Sequence, residues 1–245
     1  MKRCCVIVPT YNERENIKRL LSELMKVSQK AIEKWDIIVL IVDDGSPDGT
    51  ASEVKRLAKE NPGKIFLLER IEKKGLGDAY KAGFRHSIEE LKTDTLVEMD
   101  ADLSHDPSDL PRLLDKIEEG YDFVIGSRYV KGGRIEGWPW RRSSISWAGN
   151  FLGKFATGFK FKDCTSGFRA IRASMLEGLP KRLETDGYAF QLSLLYFAIQ
   201  KRARIVETPI IFRERKRGES KLRNKDLMEF IKTCFKLKFG IAYKN

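Results

Sequence analysis

The chain has 245 residues, of which 42% are hydrophobic and 33% are charged, and its formal net charge is +11. This length and composition are typical of one large α/β domain with a substantial core, and they argue against a disordered protein. No apolar run approaches the roughly 20 residues that a membrane-spanning helix needs, and the N-terminus turns polar too early for a signal peptide, so we expect an intracellular protein.

The first half of the chain alternates short β-branched runs with longer amphipathic ones. Strands are predicted at 4–8, 37–42, 65–69, 95–99 and 123–126, and helices are predicted to start near Glu13 and Thr50. This alternation predicts βαβ units and a Rossmann-like, mostly parallel sheet flanked by helices in a single domain. Ligands of such sheets bind beyond the carboxyl ends of the strands.

The second half begins with a segment rich in Gly, Trp and Arg. Helices are predicted over about 145–157 and 187–200, with a strand over about 205–212. A last helix, over 226–243, is apolar on one face and carries Lys232, Lys236 and Lys238. Its pattern fits either a membrane surface or ordinary packing on the domain.

The basic excess is confined to two late segments. Residues 128–162 contain eight Lys or Arg against one acidic residue, and residues 201–245 contain fourteen against five. Such a distribution indicates a polyanionic partner, such as nucleic acid, anionic lipid or a phosphorylated substrate.

Two acidic clusters follow predicted strands. Asp43 and Asp44 precede the turn residues of GSPDGT, where carboxylates can accept hydrogen bonds from a nucleobase and ribose or cap the next helix. Asp100, Ala101 and Asp102 end another strand, and the carboxylates of such a DxD can share one Mg²⁺ or Mn²⁺ ion. A metal held there would bridge the diphosphate of a nucleotide donor.

Several competing motifs are absent from the sequence. No GxGxxG follows the first strand and no GxxxxGKS/T occurs, which argues against dinucleotide oxidoreductases and P-loop NTPases. His86 and His105 are the only histidines, and we expect neither to be a catalytic base. The four cysteines form no CxxC pair, so we expect small core residues rather than a zinc site or disulfides.

Longer motifs occur in order from about residue 4 to residue 225. They read VIVPTYNERENI, VDDGSPDGT, KGLG, MDADLSHDP, IGSRYVKGG, TSGFR from Thr165, GYAFQ and RGESKL. Together they resemble the dolichol-phosphate (polyprenyl-phosphate) mannose synthase family. The resemblance implies an inverting glycosyltransferase of GT-A fold, which transfers mannose from GDP-mannose to a dolichyl or polyprenyl phosphate and yields β-linked lipid phosphomannose and GDP.

The resemblance also implies roles for individual residues. Asp102, Arg128 and Arg215 would be catalytic, because they hold the metal or stabilise the departing diphosphate. Asp102 and Ser104 would bind Mg²⁺ or Mn²⁺. The nucleotide-sugar site would comprise Pro9, Tyr11, Glu13, Val42, Asp43, Asp44, Asp100, Ala101, Asp102, Arg128, Gln191, Arg215 and Lys221.

The lipid phosphate would be received by Arg142 and Ser146, beside the tryptophans of the first basic segment. A phosphate monoester is largely dianionic at neutral pH, so its oxygen can attack the sugar C1 without a protein base. We expect a GT-A catalytic domain at 1–225 and a C-terminal basic helix at 226–245. We further expect peripheral contact with an anionic membrane at its cytoplasmic face, alone or through a membrane-anchoring subunit.

Three rival interpretations stay open at this point. A related enzyme would transfer glucose from UDP-glucose to polyprenyl phosphate, or mannose to another acceptor, and competition among GDP- and UDP-sugars would separate them. A receiver domain also places paired Asp residues at strand ends, but it needs about half this length. A basic polyanion-binding module would follow from charge alone, but no nucleic-acid-binding signature is present, so we expect no nucleic acid partner.

Overall fold

A computed structural model describes residues 1–72, 75–177, 188–214 and 224–239 of the chain. Its helices and strands alternate through the first half, as the sequence predicts. In chain order they are β1 (Lys2–Thr10), α1 (Arg14–Lys30), β2 (Trp35–Asp43), α2 (Thr50–Glu60), β3 (Ile65–Glu69), α3 (Leu76–Glu89), β4 (Thr95–Glu98), α4 (Leu110–Glu118), β5 (Phe123–Ser127), β6 (Arg134–Glu136), α5 (Trp140–Thr157), β7 (Arg169–Arg172), α6 (Tyr188–Gln200), β8 (Ile205–Pro209), β9 (Ile211–Arg213) and α7 (Asn224–Lys238).

A seven-stranded sheet organises the chain, in the order β3-β2-β1-β4-β7-β5-β8. Its strand pairs are parallel except where β7 runs antiparallel between β4 and β5. The predicted α/β fold with a mostly parallel sheet is confirmed. In the centre, β2, β1 and β4 are neighbours, so the loops that leave their carboxyl ends lie side by side.

Both faces of the sheet are covered, which explains why its central strands are apolar without alternation. Along β1, Cys5 and Ile7 point into one hydrophobic cluster while Cys4, Val6 and Val8 point into the other. Helices α3, α6 and α7 contribute to the first cluster, and α1, α2 and α4 contribute to the second. All four cysteines are buried and free, as expected from their spacing.

The predicted strand over 205–212 is wrong, because the segment forms two strands in different sheets. Pro209 ends β8 since it has no N–H to donate. The next residue, Ile210, donates its N–H to the Ser127 carbonyl (3.1 Å) and accepts from the Arg134 N–H (3.1 Å). The chain then pairs as β9 with β6 in a parallel two-stranded ribbon, which the sequence did not predict.

Helix α5 begins at Trp140, five residues before the predicted start near Ile145. Pro139 precedes it, and its carbonyl accepts from the N–H groups of Arg142 (3.0 Å) and Ser143 (3.2 Å). The first turn carries no apolar periodicity, which hid it from the sequence pattern. Among the described residues, no helix combines the length and hydropathy needed to cross a membrane.

Candidate active site

The loops that follow β1 and β2 are tied together at the edge of the sheet. Their parent strands pair so that Thr10 lies opposite Asp43. Three main-chain N–H groups of the first loop donate to side chains of the second: Asn12 to Ser46 Oγ (3.0 Å), Glu13 to Thr50 Oγ1 (3.1 Å) and Arg14 to Asp48 Oδ2 (3.1 Å). The predicted nucleotide-binding residues Pro9, Tyr11 and Glu13 therefore lie beside the end of β2, whereas Val42, which pairs with Pro9, has its side chain fully buried in the core.

The two acidic residues at the end of β2, Asp43 and Asp44, make different contacts. The Asp43 carboxylate accepts from the Thr10 hydroxyl (2.9 Å), the Ser46 N–H (2.9 Å) and the Ser46 hydroxyl (2.6 Å), so it holds the turn. The Asp44 carboxylate lies 3.2 Å from the Arg70 guanidinium. Arg70 also pairs with Asp78 on α3, and this cation was missed by sequence analysis because it lies in an unremarkable charged run.

The DAD motif follows β4 in a loop with unusual backbone geometry. Asp102 accepts a hydrogen bond from the Ser104 N–H (3.0 Å) across Leu103, whose φ is 62°. A positive φ is costly for a bulky residue, and such conformations cluster at functional sites. Ala101 is buried, whereas the Asp100 side chain is 38% exposed. The loop thus presents its carboxylates outward on a fixed backbone.

The buried side chain of His105 holds the main chain of this loop in place. Its Nδ1 accepts the Asp100 N–H (3.2 Å), and its ring packs between Phe168 and Phe212 with both centroids at 5.2 Å. Burial lowers the pKa of His105 to about 4, against the opposing charge of Asp102. The neutral imidazole therefore positions the main chain at Asp100 by accepting its hydrogen bond.

Oxygen donors in the same loop fit a hard divalent cation. Ser104 Oγ is buried and makes no hydrogen bond within the part of the chain that the structure describes. Asp102 borders a cavity of about 730 Å³ between α1 and the 102–108 loop. The described residues hold no group of three or more His, Cys, Asp or Glu that could cage a metal. One carboxylate, a hydroxyl and substrate phosphates are the usual environment of Mg²⁺.

Arg128 leaves the end of β5 and forms a buried bidentate ion pair with Asp163. Its Nε and Nη2 donate to the two carboxylate oxygens, each at 2.7 Å, and its N–H donates at 3.0 Å. Burial acts to raise the pKa of Asp163, but the charge and hydrogen bonds of Arg128 lower it on balance. Sequence analysis missed Asp163, although it is the only acidic residue between Glu136 and Glu177.

A hydrogen-bond chain extends from this ion pair to α5. Arg128 Nη2 donates to Thr165 Oγ1 (2.9 Å), which also accepts from Asn150 Nδ2 (3.1 Å). Four residues earlier on the same helix, Ser146 Oγ accepts from the Tyr129 hydroxyl (2.9 Å). The predicted acceptor residue Ser146 therefore lies close to the predicted catalytic residue Arg128.

Arg142 lies in the first turn of α5 against an aromatic ring and a carboxylate. Its guanidinium carbon is 4.3 Å from the centroid of Trp138, and its Nη1 is 3.4 Å from Glu214 Oε1. Stacking on the indole orients the planar group, and the contact with Glu214 marks a position that an anion can occupy.

A further polar cluster is buried on the face of the sheet covered by α3 and α6. It comprises Tyr80, Glu98, Arg169 and Gln191, none more than 3% exposed. Burial raises the pKa of Glu98 to about 8, and Arg169 opposes that shift. The predicted donor residue Gln191 belongs to this cluster. The predicted residues Arg215 and Lys221 lie outside the described residues.

Exposed aromatic side chains of α5 and α7 form an apolar surface. Trp147 and Phe151 stack at 5.7 Å, and both are more than half exposed. Phe155 follows one turn later, with the Lys238 ammonium of α7 at 4.1 Å from its ring. We call the exposed side chains Trp147, Phe151, Phe155 and Phe235 the aromatic face.

Comparison with known proteins identifies related sequences. The profile described as Glycosyl transferase family 2 matches residues 5–179. The polyprenol monophosphomannose synthase of Mycolicibacterium smegmatis is 41% identical over 229 residues, which cover 93% of this chain and 84% of that protein. The undecaprenyl-phosphate mannosyltransferase of Micrococcus luteus is 44% identical over 221 residues, covering 90% and 87% respectively.

Solved structures share the architecture at lower identity. The glucosyl-3-phosphoglycerate synthase of Mycobacterium tuberculosis, in complex with Mn²⁺, UDP and phosphoglyceric acid, superposes with a TM-score of 0.68. The match has 17% sequence identity and covers 95% of this chain and 78% of that one. The fold is therefore the GT-A arrangement that the motifs implied.

Proposed function

The chain belongs to glycosyltransferase family 2, among its polyprenyl-phosphate mannose synthases, and from that premise we propose that it transfers mannose from GDP-mannose to a polyprenyl phosphate with inversion. The mannosyl group and the lipid acceptor follow from its relatives of 41% and 44% identity. The guanine nucleotide and the stereochemistry follow from the resemblance of its motifs.

One observation carries the proposal: three polar loops leave neighbouring strands at a single edge of the sheet. The order β2-β1-β4 brings together the loops after Thr10, Asp43 and Glu98. The first two are joined by three hydrogen bonds, and the third holds the DAD motif. Carboxylates that would bind a base and ribose thus lie beside the oxygen ligands that would hold a metal ion.

Asp102 and Ser104 are the residues that would hold Mg²⁺ or Mn²⁺. When bound, such a cation neutralises the charge that builds on a departing diphosphate. The Ser104 N–H fixes the Asp102 carboxylate at 3.0 Å, and the His105 ring holds the Asp100 main chain at 3.2 Å. These contacts keep the loop rigid, which lowers the cost of ordering it around a ligand.

Arg128 would stabilise the donor diphosphate together with the metal ion held by Asp102 and Ser104. Asp163 grips it through Nε and Nη2, and aromatic rings at 5.4 and 5.7 Å surround the guanidinium. A cation held this firmly needs no reorganisation during the reaction, which is the condition for electrostatic stabilisation of a transition state.

The acceptor phosphate would bind between Arg142 and Ser146 on α5. The fork of Arg142 suits two phosphate oxygens, and an incoming phosphate would replace its contact with the Glu214 carboxylate at 3.4 Å. An oxygen of the phosphate dianion attacks the mannose C1, the bond from C1 to the GDP oxygen breaks, and GDP leaves with the electron pair. No protein base is required because the nucleophile is already deprotonated.

The aromatic face would rest on the lipid surface that supplies the acceptor. Trp147 and Phe151 lie on the same helix as Arg142 and Ser146, so membrane contact would bring the lipid phosphate to the site. The surrounding segment is basic, with one acidic residue against eight Lys or Arg over 128–162, which suits anionic lipid headgroups. Tryptophan is common at such interfaces.

The test is a transfer assay with radiolabelled GDP-mannose and polyprenyl phosphate in detergent, followed by extraction of the lipid product. Label should enter an acid-labile lipid fraction and should not do so with UDP-glucose. The anomeric configuration is read from the one-bond C1–H1 coupling of the purified product. Label entering from UDP-glucose alone would reassign the chain to the glucose-transferring alternative.

A further inference from the structure

The TSGFR segment ends in the largest fully buried side chain of the described residues, Arg169. Arg169 opens β7 and pairs in register with Glu98, the last residue of β4. Its guanidinium lies on the face covered by α3 and α6, in the cluster with Tyr80 and Gln191. A charged group at 0% exposure needs partners that repay the loss of water.

The contacts of Arg169 join three separate segments. Nη1 donates to the Gln191 carbonyl on α6 (2.7 Å), and Nη2 donates to the Cys164 carbonyl (2.8 Å). Nε lies 4.0 Å from Glu98 Oε2. One side chain thus links β4, α6 and the loop before β7.

Each of the three segments carries part of the donor site. Glu98 leads directly into Asp100 and Asp102. The Cys164 carbonyl follows Asp163, which grips Arg128. The third contact is made by the main chain of Gln191 itself.

Several buried polar atoms of this cluster lack a hydrogen bond, which is unusual for a core that only stabilises the fold. Among the described residues, no hydrogen bond reaches the Tyr80 hydroxyl or Arg169 Nε, and the Glu98 carboxylate has only a weak contact with the side-chain amide of Gln191. Buried polar atoms without hydrogen bonds are rare in native proteins and call for an explanation, of which a functional site is one.

We propose that Arg169 is a positioning residue of the donor site, which sets the DAD loop, Gln191 and the anchor of Arg128 relative to one another. This rests on the proposed function, in which those three elements bind the nucleotide sugar. None of the direct contacts of Arg169 lies on the helix that carries Arg142 and Ser146, which is linked to the Cys164 segment only at one remove, by the Cys164 N–H donating to Asn150 Oδ1 (2.8 Å).

The same strand supplies a matched control. Arg172 pairs in register with Thr95, at the opposite end of β4. It too lies beside a carboxylate, Asp122 at 3.5 Å, and donates to the Tyr121 carbonyl at 3.0 Å. Arg172→Met therefore removes a similar set of contacts far from the DAD loop.

The main test replaces the ion pair by apolar groups of similar volume, in the double variant Glu98→Leu/Arg169→Met. Buried ion pairs replaced in this way often leave stability unchanged, so the variant can be folded and still mispositioned. Because the Gln191 and Cys164 carbonyls lose their donor, we expect a lowered thermal midpoint, and calorimetry below it should show affinity for GDP and Mn²⁺ about 10- to 100-fold weaker. The KM for polyprenyl phosphate should change less than the affinity for GDP.

Unchanged GDP affinity in the folded double variant would overturn the proposal, and so would equal losses toward donor and acceptor, which indicate general loosening. If the double variant does not fold, Arg169→Lys is measured below its unfolding temperature. Lysine keeps the charge but loses the fork that reaches two carbonyls. We expect weaker GDP binding than in Arg172→Met, and equal affinities would overturn the proposal.

Calorimetry also separates this inference from the proposed function. Should the unmodified chain prefer another nucleoside diphosphate, the proposed donor is wrong, and the variants are titrated with the nucleotide that binds. A loss confined to the Glu98 and Arg169 variants would then still support the positioning assignment.

Discussion

Arg128 and Asp163 form a bidentate ion pair in which both side chains are almost fully buried, with N–O distances of 2.7 Å. They come from different loops, 35 residues apart. Burial makes such a pair costly to form and more costly to break, since one charge is then left without its counterion. Substitution of Asp163 is therefore expected to affect both the stability of the fold and the position of Arg128.

We predict that Asp163→Asn destabilises the chain by about 3–5 kcal/mol at neutral pH, because Arg128 stays buried and charged without its partner. Urea unfolding followed by circular dichroism measures the difference. Glu23→Gln, which alters an exposed pair with Lys26, is the control and should cost less than about 1 kcal/mol. Equal effects of the two substitutions would contradict the buried-pair account.

The stability difference between the unmodified chain and Asp163→Asn should depend on pH. The folded-state pKa of Asp163 is lowered, so its contribution is fully present above the unfolded pKa of about 3.9 and is lost as the pH falls through the folded value. The difference between the unfolding curves should therefore stay constant from pH 7 to about pH 4 and shrink only as the pH falls further. A difference that grew toward low pH would have the wrong sign.

Metal dependence should reside in Asp102. We predict that Asp102→Asn lowers transfer at least about 100-fold and abolishes the response to added Mg²⁺ or Mn²⁺, without loss of folding. Chelation by EDTA should silence the unmodified chain to the same level. Asp115→Asn, on the exposed side of α4, is the matched control. Full activity after exhaustive metal removal would end this account.

The sequence predicted the core of the fold because its strands are apolar and separated by turn residues. It also located the DAD motif and the acidic pair, since polar residues directly after apolar strands are visible in one dimension. The sequence did not distinguish the roles of Asp43 and Asp44. Only the contacts of Asp43 with Thr10 and Ser46 show that it stabilises a turn.

The elements that the sequence missed depend on partners distant in the chain. The four residues of β7 are strand only because β4 and β5 flank them. The same holds for Asp163, whose importance comes from its pairing with Arg128, and for Arg169, which ends the TSGFR motif but received no role from the sequence. Local pattern carries no information on such contacts.

Acceptor binding should depend on Arg142. We predict that Arg142→Ala lowers the acceptor-dependent rate about 10- to 100-fold, the cost of one charge-assisted contact, and leaves GDP affinity unchanged. Arg142→Lys should recover part of the loss, because lysine lacks the planar fork. Arg134→Ala removes an equal charge from the same basic segment and should have little effect. A fall in GDP affinity with unchanged acceptor dependence would move Arg142 into the nucleotide pocket.

Membrane contact should depend on the aromatic face. Trp147 and Phe151 are 64% and 60% exposed and stack on each other, so they present a joined apolar surface that water solvates poorly. Sinking such side chains into a headgroup region stabilises the bound state, and the basic residues nearby add attraction to anionic lipid.

We predict that Trp147→Ser/Phe151→Ser weakens sedimentation with vesicles of phosphatidylglycerol and phosphatidylcholine by at least about 10-fold. Ile32→Ser removes a side chain of similar exposure, 55%, in the turn between α1 and β2 and serves as the control. Raising the salt concentration should weaken binding of all three proteins, since anionic headgroups are screened. Transfer to a short, detergent-dispersed acceptor should survive in the double variant, because Arg142 and Ser146 remain in place. If the double variant and Ile32→Ser bound the vesicles equally, the aromatic face would have no part in membrane contact.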